Sequence, residues 1–520
     1  MKRILFYLAL SLPLFSFAQK SDPYFDKGVE LYNNKDYNSA IDYFNKEIAL
    51  NPENIQAYDY KGVIKVEQGE YKAAIDLFTR EITLNPNADQ AYSNRAFAKM
   101  NTGDNKGAIA DCDIAVAHNP KNAMAYTNRG IAKRRDGDFN GAIADFNKLL
   151  EFNPNDPIAF TNRGNAKNAL ADFKGAVDDL DRAIALDGKL PESYLDRGIA
   201  KSGLKDSYGA IDDFSKSITL RPEFDAAYLY RGLEKSELNN DNDALADFTK
   251  AVSLNPKNDE AFEKKGAINA KMGNYGAANG DLTQAIILNP DNAEAYYFRG
   301  EVKLKLDDKD GALKDLTKAI TIKPDYAEAF EDRGGVKSAM TDFKGAIDDL
   351  NRSLMLNPKS ATAYFSRAVA KVALHQNNEA ITDLNKATAI DPSNSNAFYY
   401  RAALNMEMNN CAAAIPDLNK AIADNINLPF AYYMRGYANI AVKNNTGALA
   451  DLNKAIELNP SNADAYFNRG RLYFILKNNP AAKADWGKAA ALGHRDAALM
   501  LKINPGKRKP SASNWVVWKK

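Results

Sequence analysis

The sequence predicts an all-α protein built from one helix pair repeated along the chain. Three observations predict this fold: prolines recur with a 34-residue period, apolar residues between them follow a helical period, and three positions of the period hold nearly constant residues. A fixed period indicates one supersecondary unit stacked on itself. The three or four globular domains that 520 residues would otherwise suggest are therefore not expected.

The prolines set the period and its phase. Pro52 begins a series with steps of 34 residues that continues at Pro86, Pro120, Pro154, Pro222, Pro256, Pro290, Pro324, Pro358, Pro392 and Pro460. Gly188 and Ile426 stand where two further prolines would fall, yet the phase is kept. Counted back from Pro52, fourteen windows of 34 residues begin at Ser21, and residues 19–496 are predicted to form the repeat array.

Each window is predicted to hold two helices joined by a turn. In the window 123–156, Tyr126 and Gly130 lie on one stripe of a first helix, and residues 136–138 (Asp-Gly-Asp) are a turn signal. A second helix is indicated by the apolar spacing of Ala142, Ile143, Phe146 and Leu149. Pro154 cannot continue that helix, so it separates one unit from the next.

Three positions, numbered within each window, indicate close packing of these helices. The fourth is aromatic in all fourteen windows, the eighth is Gly in eleven and Ala in three, and the twentieth is always Ala. Small residues at the eighth and twentieth positions let two helices approach closely, and the aromatic ring fills the space between neighbouring units.

This pattern of aromatic, Gly/Ala, Ala and Pro at a 34-residue period resembles the tetratricopeptide repeat (TPR) family over residues 21–496. The resemblance implies a right-handed superhelical solenoid of fourteen helix-turn-helix repeats, followed by a C-terminal capping helix. It also implies that the first helices line a concave groove and that the second helices form the convex face.

Positions seven and twenty-three carry opposite charges that appear together. From window 3 onward the seventh position is Arg, except for Lys265, and the twenty-third is Asp, whereas windows 1 and 2 lack both residues. We therefore predict an ion pair within each window that joins its first helix to its second. In windows 3–7 the predicted pairs are Arg95–Asp111, Arg129–Asp145, Arg163–Asp179, Arg197–Asp213 and Arg231–Asp247.

Window 12 departs from the pattern. Pro416 falls inside its predicted second helix, and Ile426 replaces the phasing proline. A proline in a helix interior costs ~3 kcal/mol. We expect either a kink in this helix or a helix that starts after the proline.

The N-terminal residues predict export. Residues 1–18 combine Lys2 and Arg3 with an apolar stretch and end in Ser16-Phe17-Ala18 before Gln19, which is typical of a cleaved signal peptide. An N-terminal anchor that is never cut is the alternative. We expect a periplasmic or secreted protein.

Residues 497–520 are predicted to begin with a capping helix and to continue as a basic tail. They hold six Lys or Arg residues and no Asp or Glu, and they include Trp515 and Trp518. Such a tail could dock on a partner, touch an anionic membrane surface or stay disordered.

Composition and motifs argue against catalysis and against nucleic-acid binding. Lys and Arg total 68 and Asp and Glu total 67, so the formal net charge of +1 provides no bulk positive charge for nucleic acid. Three histidines and two cysteines form no metal-ligand set, and no phosphate loop or catalytic motif is present. His118 and His494 lie beside window boundaries, where solvated imidazoles are expected. We expect no enzyme activity, metal or cofactor.

Candidate binding residues occupy the positions that the resemblance implies are exposed in the groove. Windows 3–5 place small hydrogen-bonding residues there, such as Ser93 and Asn94. An acidic belt follows, formed by Glu260, Glu263, Glu294, Glu301, Glu328 and Glu331. Aromatic residues dominate the later windows: Tyr297, Phe298, Phe365, Tyr399, Tyr400, Tyr433, Tyr437 and Phe467.

Both groups have two interpretations. Exposed aromatic rings are typical binding anchors, but rings also pack between adjacent first helices. The acidic side chains are either binding groups or a solvated face. The sequence favours a non-catalytic exported scaffold that binds protein segments along the groove. The alternative is a periplasmic array that assists polysaccharide export or cell-envelope assembly, since aromatic rings beside acidic and amide groups also suit sugars.

Overall fold

A computed structural model describes residues 23–502, which form 29 α-helices and no strand. The chain divides into two compact units, Met1–Lys264 and Lys265–Lys520, and each is described by itself. The predicted signal peptide and the basic tail after Lys502 lie outside the described residues.

The first unit contains fourteen helices and the start of a fifteenth. Their bounds are α1 (Pro23–Asn33), α2 (Tyr37–Leu50), α3 (Ile55–Glu67), α4 (Tyr71–Leu84), α5 (Asp89–Thr102), α6 (Asn105–His118), α7 (Ala123–Arg135), α8 (Phe139–Phe152), α9 (Pro157–Ala169), α10 (Phe173–Leu186), α11 (Pro191–Gly203), α12 (Ser207–Leu220), α13 (Asp225–Glu237), α14 (Asp241–Leu254) and α15 (Asp259–Lys271), which continues into the second unit.

The second unit contains the remaining described helices. Their bounds are α16 (Tyr275–Leu288), α17 (Ala293–Lys305), α18 (Lys309–Ile322), α19 (Ala327–Ala339), α20 (Phe343–Leu356), α21 (Ala361–Ala373), α22 (Asn377–Ile390), α23 (Ser395–Glu407), α24 (Cys411–Ala423), α25 (Leu428–Ala441), α26 (Asn445–Leu458), α27 (Ala463–Ile475), α28 (Asn479–Ala491) and α29 (Arg495–Lys502). None of the helices between residues 23 and 502 is sufficiently long and apolar to cross a membrane.

The second helix of every window begins at position 17, from Tyr37 in α2 to Asn479 in α28. In most windows an Asp or Asn at position 16 caps it. The Asp138 side chain, for example, accepts a hydrogen bond from the backbone N–H of Gly141 at 2.8 Å. Such a cap satisfies an N–H group that has no partner within the helix.

Positions 8, 20 and 24 form the core between the two helices of a window. Ala142 and Phe146 of α8 are fully buried, and a Cβ atom added at Gly130 of α7 would lie 2.7 Å from Phe146 Cζ. Glycine is required there because the ring already fills the space. The three windows with Ala at the eighth position have Cys or Leu at position 24, so alanine never lies opposite a ring.

Successive first helices also pack on one another within each unit. In the first unit such contacts connect α1, α3, α5, α7, α9, α11 and α13 in series. In the second unit they connect α17, α19 and α21, and also α23, α25 and α27. We call the side of each unit formed by its first helices the inner face. The residues that were predicted to be exposed in the concave groove lie on this face.

Window 12 keeps the register of the other windows. Its second helix, α24, begins at Cys411 and contains Pro416, so the expected late start is wrong. The irregular backbone lies instead in the turn after α24. Asn425 and Asn427 have φ angles of 59° and 42°. Asparagine tolerates this left-handed region better than most residues, so the turn forms without the phasing proline.

Candidate functional site

The Arg–Asp pairs join the two helices of one window, as the sequence predicts. Arg231 of α13 donates from Nε to Asp247 Oδ2 at 2.9 Å and from Nη2 to Oδ1 at 2.7 Å. Lys265 makes an ion pair with Asp281 at 2.9 Å. The two-point Arg pair also occurs at Arg95–Asp111, Arg129–Asp145, Arg163–Asp179 and Arg197–Asp213.

This ladder has two further members that the sequence analysis missed. Lys235, at position 11, donates to Asp247 Oδ2 at 2.7 Å. Arg231 Nη1 donates to Ser215 Oγ, at position 25 of the preceding window, at 3.0 Å. The ladder therefore also ties one window to the window before it. Both contacts could have been predicted from the sequence, because Lys recurs at position 11 and Asp, Asn, Ser or Thr recurs at position 25.

The ladder keeps the carboxylate of Asp383 charged within the fold. Burial alone would raise the pKa of Asp383, but hydrogen bonds from Arg367 and Lys371 outweigh burial and hold that pKa below its usual range. Arg367 also lies over Tyr364, with the guanidinium carbon 5.4 Å from the ring centroid. These contacts give the ladder a structural role.

Positions five and six of successive first helices contact each other on the inner face. In the first unit, Asn94 Nδ2 donates to Asp59 Oδ1 at 3.2 Å, and Asn128 Nδ2 donates to the carbonyl oxygen of Ser93 at 3.0 Å. All four residues are buried. The expectation that Ser93 and Asn94 are exposed is therefore wrong, because they fasten neighbouring first helices together.

Buried polar contacts continue along the first unit. The hydroxyl oxygens of Thr161 and Ser193 lie 2.7 Å apart, and Asn165 Nδ2 donates to Asp196 Oδ1 at 2.7 Å. Burial raises the pKa of Asp196 to about 7, against the opposing effects of Asn165 and Arg134. The sequence analysis missed this network, since no regular spacing marks its members.

Aromatic side chains take the corresponding positions in the second unit. Phe365 of α21 and Tyr400 of α23 form an edge-to-face pair with ring centroids 5.3 Å apart, and the ring of Tyr399 lies 6.2 Å from that of Tyr400. The Tyr399 hydroxyl accepts a hydrogen bond from Asn427 at 3.0 Å. Phe365 and Tyr399 are half-buried, while Tyr400 is 42% exposed. We call Phe365, Tyr399 and Tyr400 the aromatic cluster.

Tyr433 is buried, so its prediction as an exposed anchor is wrong. It is only 7% exposed, and its ring centroid lies 5.6 Å from that of Phe430. Its hydroxyl accepts a hydrogen bond from Asn468 Nδ2 at 3.3 Å, and burial raises its pKa. Asn468 is at position six of the next window, so Tyr433 belongs to the contact between α25 and α27.

Phe467 and Tyr437 are half-buried among other side chains. His494 stacks on Phe467 with ring centroids 4.0 Å apart, and Arg471 lies 6.0 Å from the ring centroids of both Phe467 and Tyr437. His494 Nδ1 also accepts a hydrogen bond from the backbone N–H of Ala497 at 3.3 Å. The expectation of a solvated imidazole at His494 is therefore wrong.

The predicted acidic belt is divided between the two units. In the first unit Glu260 is exposed, but Glu263 is buried and pairs with Lys264 at 2.7 Å. The expected exposure of Glu263 is wrong because position five faces neighbouring helices. In the second unit Glu328 is exposed and Glu294 is half-buried.

Two other acids of the belt are half-buried in the second unit. Burial, followed by the nearby Asp332 carboxylate, raises the pKa of Glu301 to about 7. Burial also raises the pKa of Tyr297, a half-buried ring that is hydrogen-bonded to Asp332. Glu331 accepts a hydrogen bond from Ser360 Oγ at 2.7 Å. These acids therefore interact with neighbours in the fold rather than forming a freely solvated belt.

The chemistry that the inner face offers is contact and hydrogen bonding. Within residues 23–502, no group of three or more His, Cys, Asp or Glu side chains is placed to hold a metal ion. Cys112 is fully buried, and burial raises the pKa of its thiol. The aromatic cluster, by contrast, can bury the apolar surface of a ligand beside the Asn427 amide.

The stacked helix pairs, the invariant small residues and the inner face define an α-solenoid of tandem repeats. Tetratricopeptide repeat models match residues 25–89, 94–157, 269–327 and 361–394, and a TPR repeat model matches residues 443–497. Together these matches cover more than half of the chain. The chain belongs to the tetratricopeptide repeat family.

Several solved structures are similar to parts of the chain. YrrB, described as a TPR protein with an unusual peptide-binding site, is 26% identical over 36% of this chain and 97% of its own, with a TM-score of 0.32. MamA is 28% identical over 31% and 95%, with a TM-score of 0.30. A tetratricopeptide repeat protein from Parabacteroides merdae is 20% identical over 45% and 93%, with a TM-score of 0.37. No curated protein matches the chain.

Proposed function

We propose that this protein is a non-catalytic scaffold that binds a segment of another protein across the aromatic cluster. Repeats of this family form protein-interaction scaffolds, and the cluster supplies a particular place for binding on the second unit. The proposal rests on the exposure of Tyr400. Its side chain is 42% exposed although its ring packs against two other aromatic rings.

The surroundings of Tyr400 favour binding with little reorganisation. Phe365 packs edge-to-face on its ring, and the Asn427 amide holds the neighbouring Tyr399 hydroxyl. A ring that is already held in place loses little side-chain entropy when a ligand covers it. Aromatic residues with rigid surroundings are typical of the few positions that dominate binding energy.

Export is part of the same proposal, and it is supported by residues 1–18. A charged n-region, an apolar stretch and Ser16-Phe17-Ala18 are the features that signal peptidase substrates share. N-terminal sequencing of the protein from its native cell should start at Gln19. A protein that retains Met1 would argue for the anchor instead.

Cross-linked capture from cell-envelope extract tests the binding proposal. The wild-type chain is compared with Tyr400→Ser and with Tyr208→Ser, a control on α12 where the tyrosine is 74% exposed. A captured protein is then purified and its Kd measured against all three chains. Loss of a hot-spot ring is expected to weaken the Kd by about 30-fold (about 2 kcal/mol). Equal affinity for the wild type and Tyr400→Ser would contradict the proposed site.

A polysaccharide is the second candidate ligand, favoured by the Tyr399 hydroxyl and the Asn427 amide beside the rings. Aromatic faces stack on sugar rings, while amides bond to their hydroxyls. A glycan array with the same three chains tests this alternative. Glycan binding that is lost only in Tyr400→Ser would support a role in polysaccharide export or cell-envelope assembly.

A further inference from the structure

The first helices of windows 3–5 carry a single negative charge. Asp89 is the one acidic residue of α5 and begins that helix, while α7 and α9 contain no Asp or Glu. The Asp89 carboxylate accepts hydrogen bonds from Asn119 and Asn122, each at 2.8 Å. The part of the inner face that these three helices form therefore presents no other acidic side chain.

Two arginines at the end of α7 add positive charge to this surface. Arg134 Nη1 donates to Asn165 Oδ1 of α9 at 2.7 Å, and Arg135 Nη1 donates to the carbonyl oxygen of Met100 of α5 at 3.1 Å. The ladder arginines pair with aspartates, but among the residues that the structure describes no carboxylate forms an ion pair with Arg134 or Arg135. Both guanidiniums bond to neutral groups, so their charges are not neutralised by direct contact.

Burial makes the positive charge of Arg134 unfavourable within the fold alone. Its Nε is buried and has no hydrogen-bond partner in the described part of the chain. Burial lowers the pKa of both arginines; for Arg134 the Asp196 carboxylate opposes this effect and the charge of Arg135 adds to it. Asp196 is linked to Arg134 through the Asn165 amide, which donates to Asp196 Oδ1 at 2.7 Å. A partly buried guanidinium without a carboxylate in contact is a group that an external anion stabilises.

We propose that the inner face at windows 3–5 binds an acidic segment of a partner protein, whose carboxylates pair with Arg134 and Arg135. The planar guanidinium fork matches the two oxygens of a carboxylate. Arg134 is half-buried and Arg135 is exposed, so a chain segment can reach both. The segment crosses α7, because Arg134 lies toward α9 and Arg135 toward α5. This site belongs to the first unit, and it does not depend on ligand binding at the aromatic cluster.

Fluorescence anisotropy with the full chain and a labelled octaglutamate peptide tests this site. The variant is Arg134→Gln/Arg135→Gln, and its matched control is Arg80→Gln/Arg182→Gln, which removes the same charge from exposed arginines on α4 and α10 of the same unit. Loss of two charge-assisted pairs is expected to weaken octaglutamate binding about 30-fold. The control should stay within about twofold of the wild type. Equal affinity for the wild type and Arg134→Gln/Arg135→Gln would overturn the proposal.

Hydrogen–deuterium exchange locates the bound peptide. Octaglutamate is expected to slow amide exchange at the end of α7 in the wild type and not in Arg134→Gln/Arg135→Gln. Octaglutamine, which has the same length without charge, should have no effect. Protection confined to helices other than α5, α7 and α9 would overturn the proposal, and so would protection of α7 by inorganic phosphate but not by octaglutamate.

Asp196→Asn is a variant in which the affinity should rise. It removes the carboxylate that partly offsets the charge of Arg134, so we expect octaglutamate to bind about threefold more tightly at about pH 8, where Asp196 is mostly ionised. A merely structural role for the arginines, as ties to α5 and α9, predicts a lower melting temperature for Arg134→Gln/Arg135→Gln and no effect of Asp196→Asn on octaglutamate binding. That result would contradict the proposed site.

Discussion

In windows 2–4 of the first unit, hydrogen bonds such as Asn94 to Asp59 fasten the inner face, whereas windows 11 and 12 of the second unit use rings, such as Phe365 on Tyr400. An amide that donates to a buried carboxylate has its hydrogen-bonding partner within the fold. An edge-to-face ring pair uses only part of each ring, so further apolar surface remains for a ligand. The same contact between positions five and six thus satisfies polar groups between windows 2 and 3 and leaves exposed apolar surface between windows 11 and 12.

The ladder is common to both units, so breaking it should have the largest and most similar effects. Asp247→Ala and Asp349→Ala each leave an Arg and a Lys without their partner carboxylate. We expect each to lower the free energy of unfolding of its own unit by about 3–5 kcal/mol. Urea unfolding with a fluorescent probe in each unit measures this. A double-mutant cycle between Arg231 and Asp247 that shows no coupling would contradict the ladder.

The pH dependence of local stability should identify the contribution of Asp196 in the first unit. The folded pKa of Asp196, about 7, lies above its ordinary value of 3.8. The stability that Asp196 contributes is therefore fully present below pH 4 and is lost as pH rises through about 7. Protection factors of α11 amides should fall over this range and should stay level in Asp196→Asn. If the protection factors of the wild type and of Asp196→Asn changed with pH in the same way, Asp196 would not be the cause of the pH dependence.

Tyr433 should respond as a buried ring rather than as a ligand contact. Tyr433→Ala leaves a cavity between α25 and α27, and we expect a loss of about 3 kcal/mol of unfolding free energy. Tyr433→Phe removes only the bond from Asn468 and should lose about 1 kcal/mol. Thermal unfolding of both variants measures the difference. If the two substitutions had equal effects, ring burial would not be the reason.

The smallest effect on stability is expected at Tyr400. Its exposed ring contributes little to packing, so Tyr400→Ser should change the unfolding free energy by less than about 0.5 kcal/mol. Far-UV circular dichroism melts, read beside the binding measurement, check this expectation. A large drop in melting temperature would mean that the aromatic cluster is part of the core, as Tyr433 is.

The sequence predicts helix register and charge pairing well, because both depend on residues that recur at fixed positions of the 34-residue period. The start of α24 at Cys411 follows from the period alone, despite Pro416. Arg231 and Asp247 could be paired because their positions change together along the array. The burial of a ring could not be predicted, since it depends on the opposite side chain. Tyr433 lies against the small side chain of Asn468 and is buried, whereas Tyr400 lies against the bulky ring of Phe365 and stays partly exposed.

The contact between Arg231 Nη1 and Ser215 has a consequence for how the array unfolds. Energy shared between neighbouring repeats makes the loss of one repeat weaken the next, so melting spreads in blocks. Window 2 carries Lys61 where window 7 carries Arg231, so this arginine link does not join windows 1 and 2. Fraying is expected to begin there, which makes the N-terminal edge the first segment that a protease or a chaperone would engage.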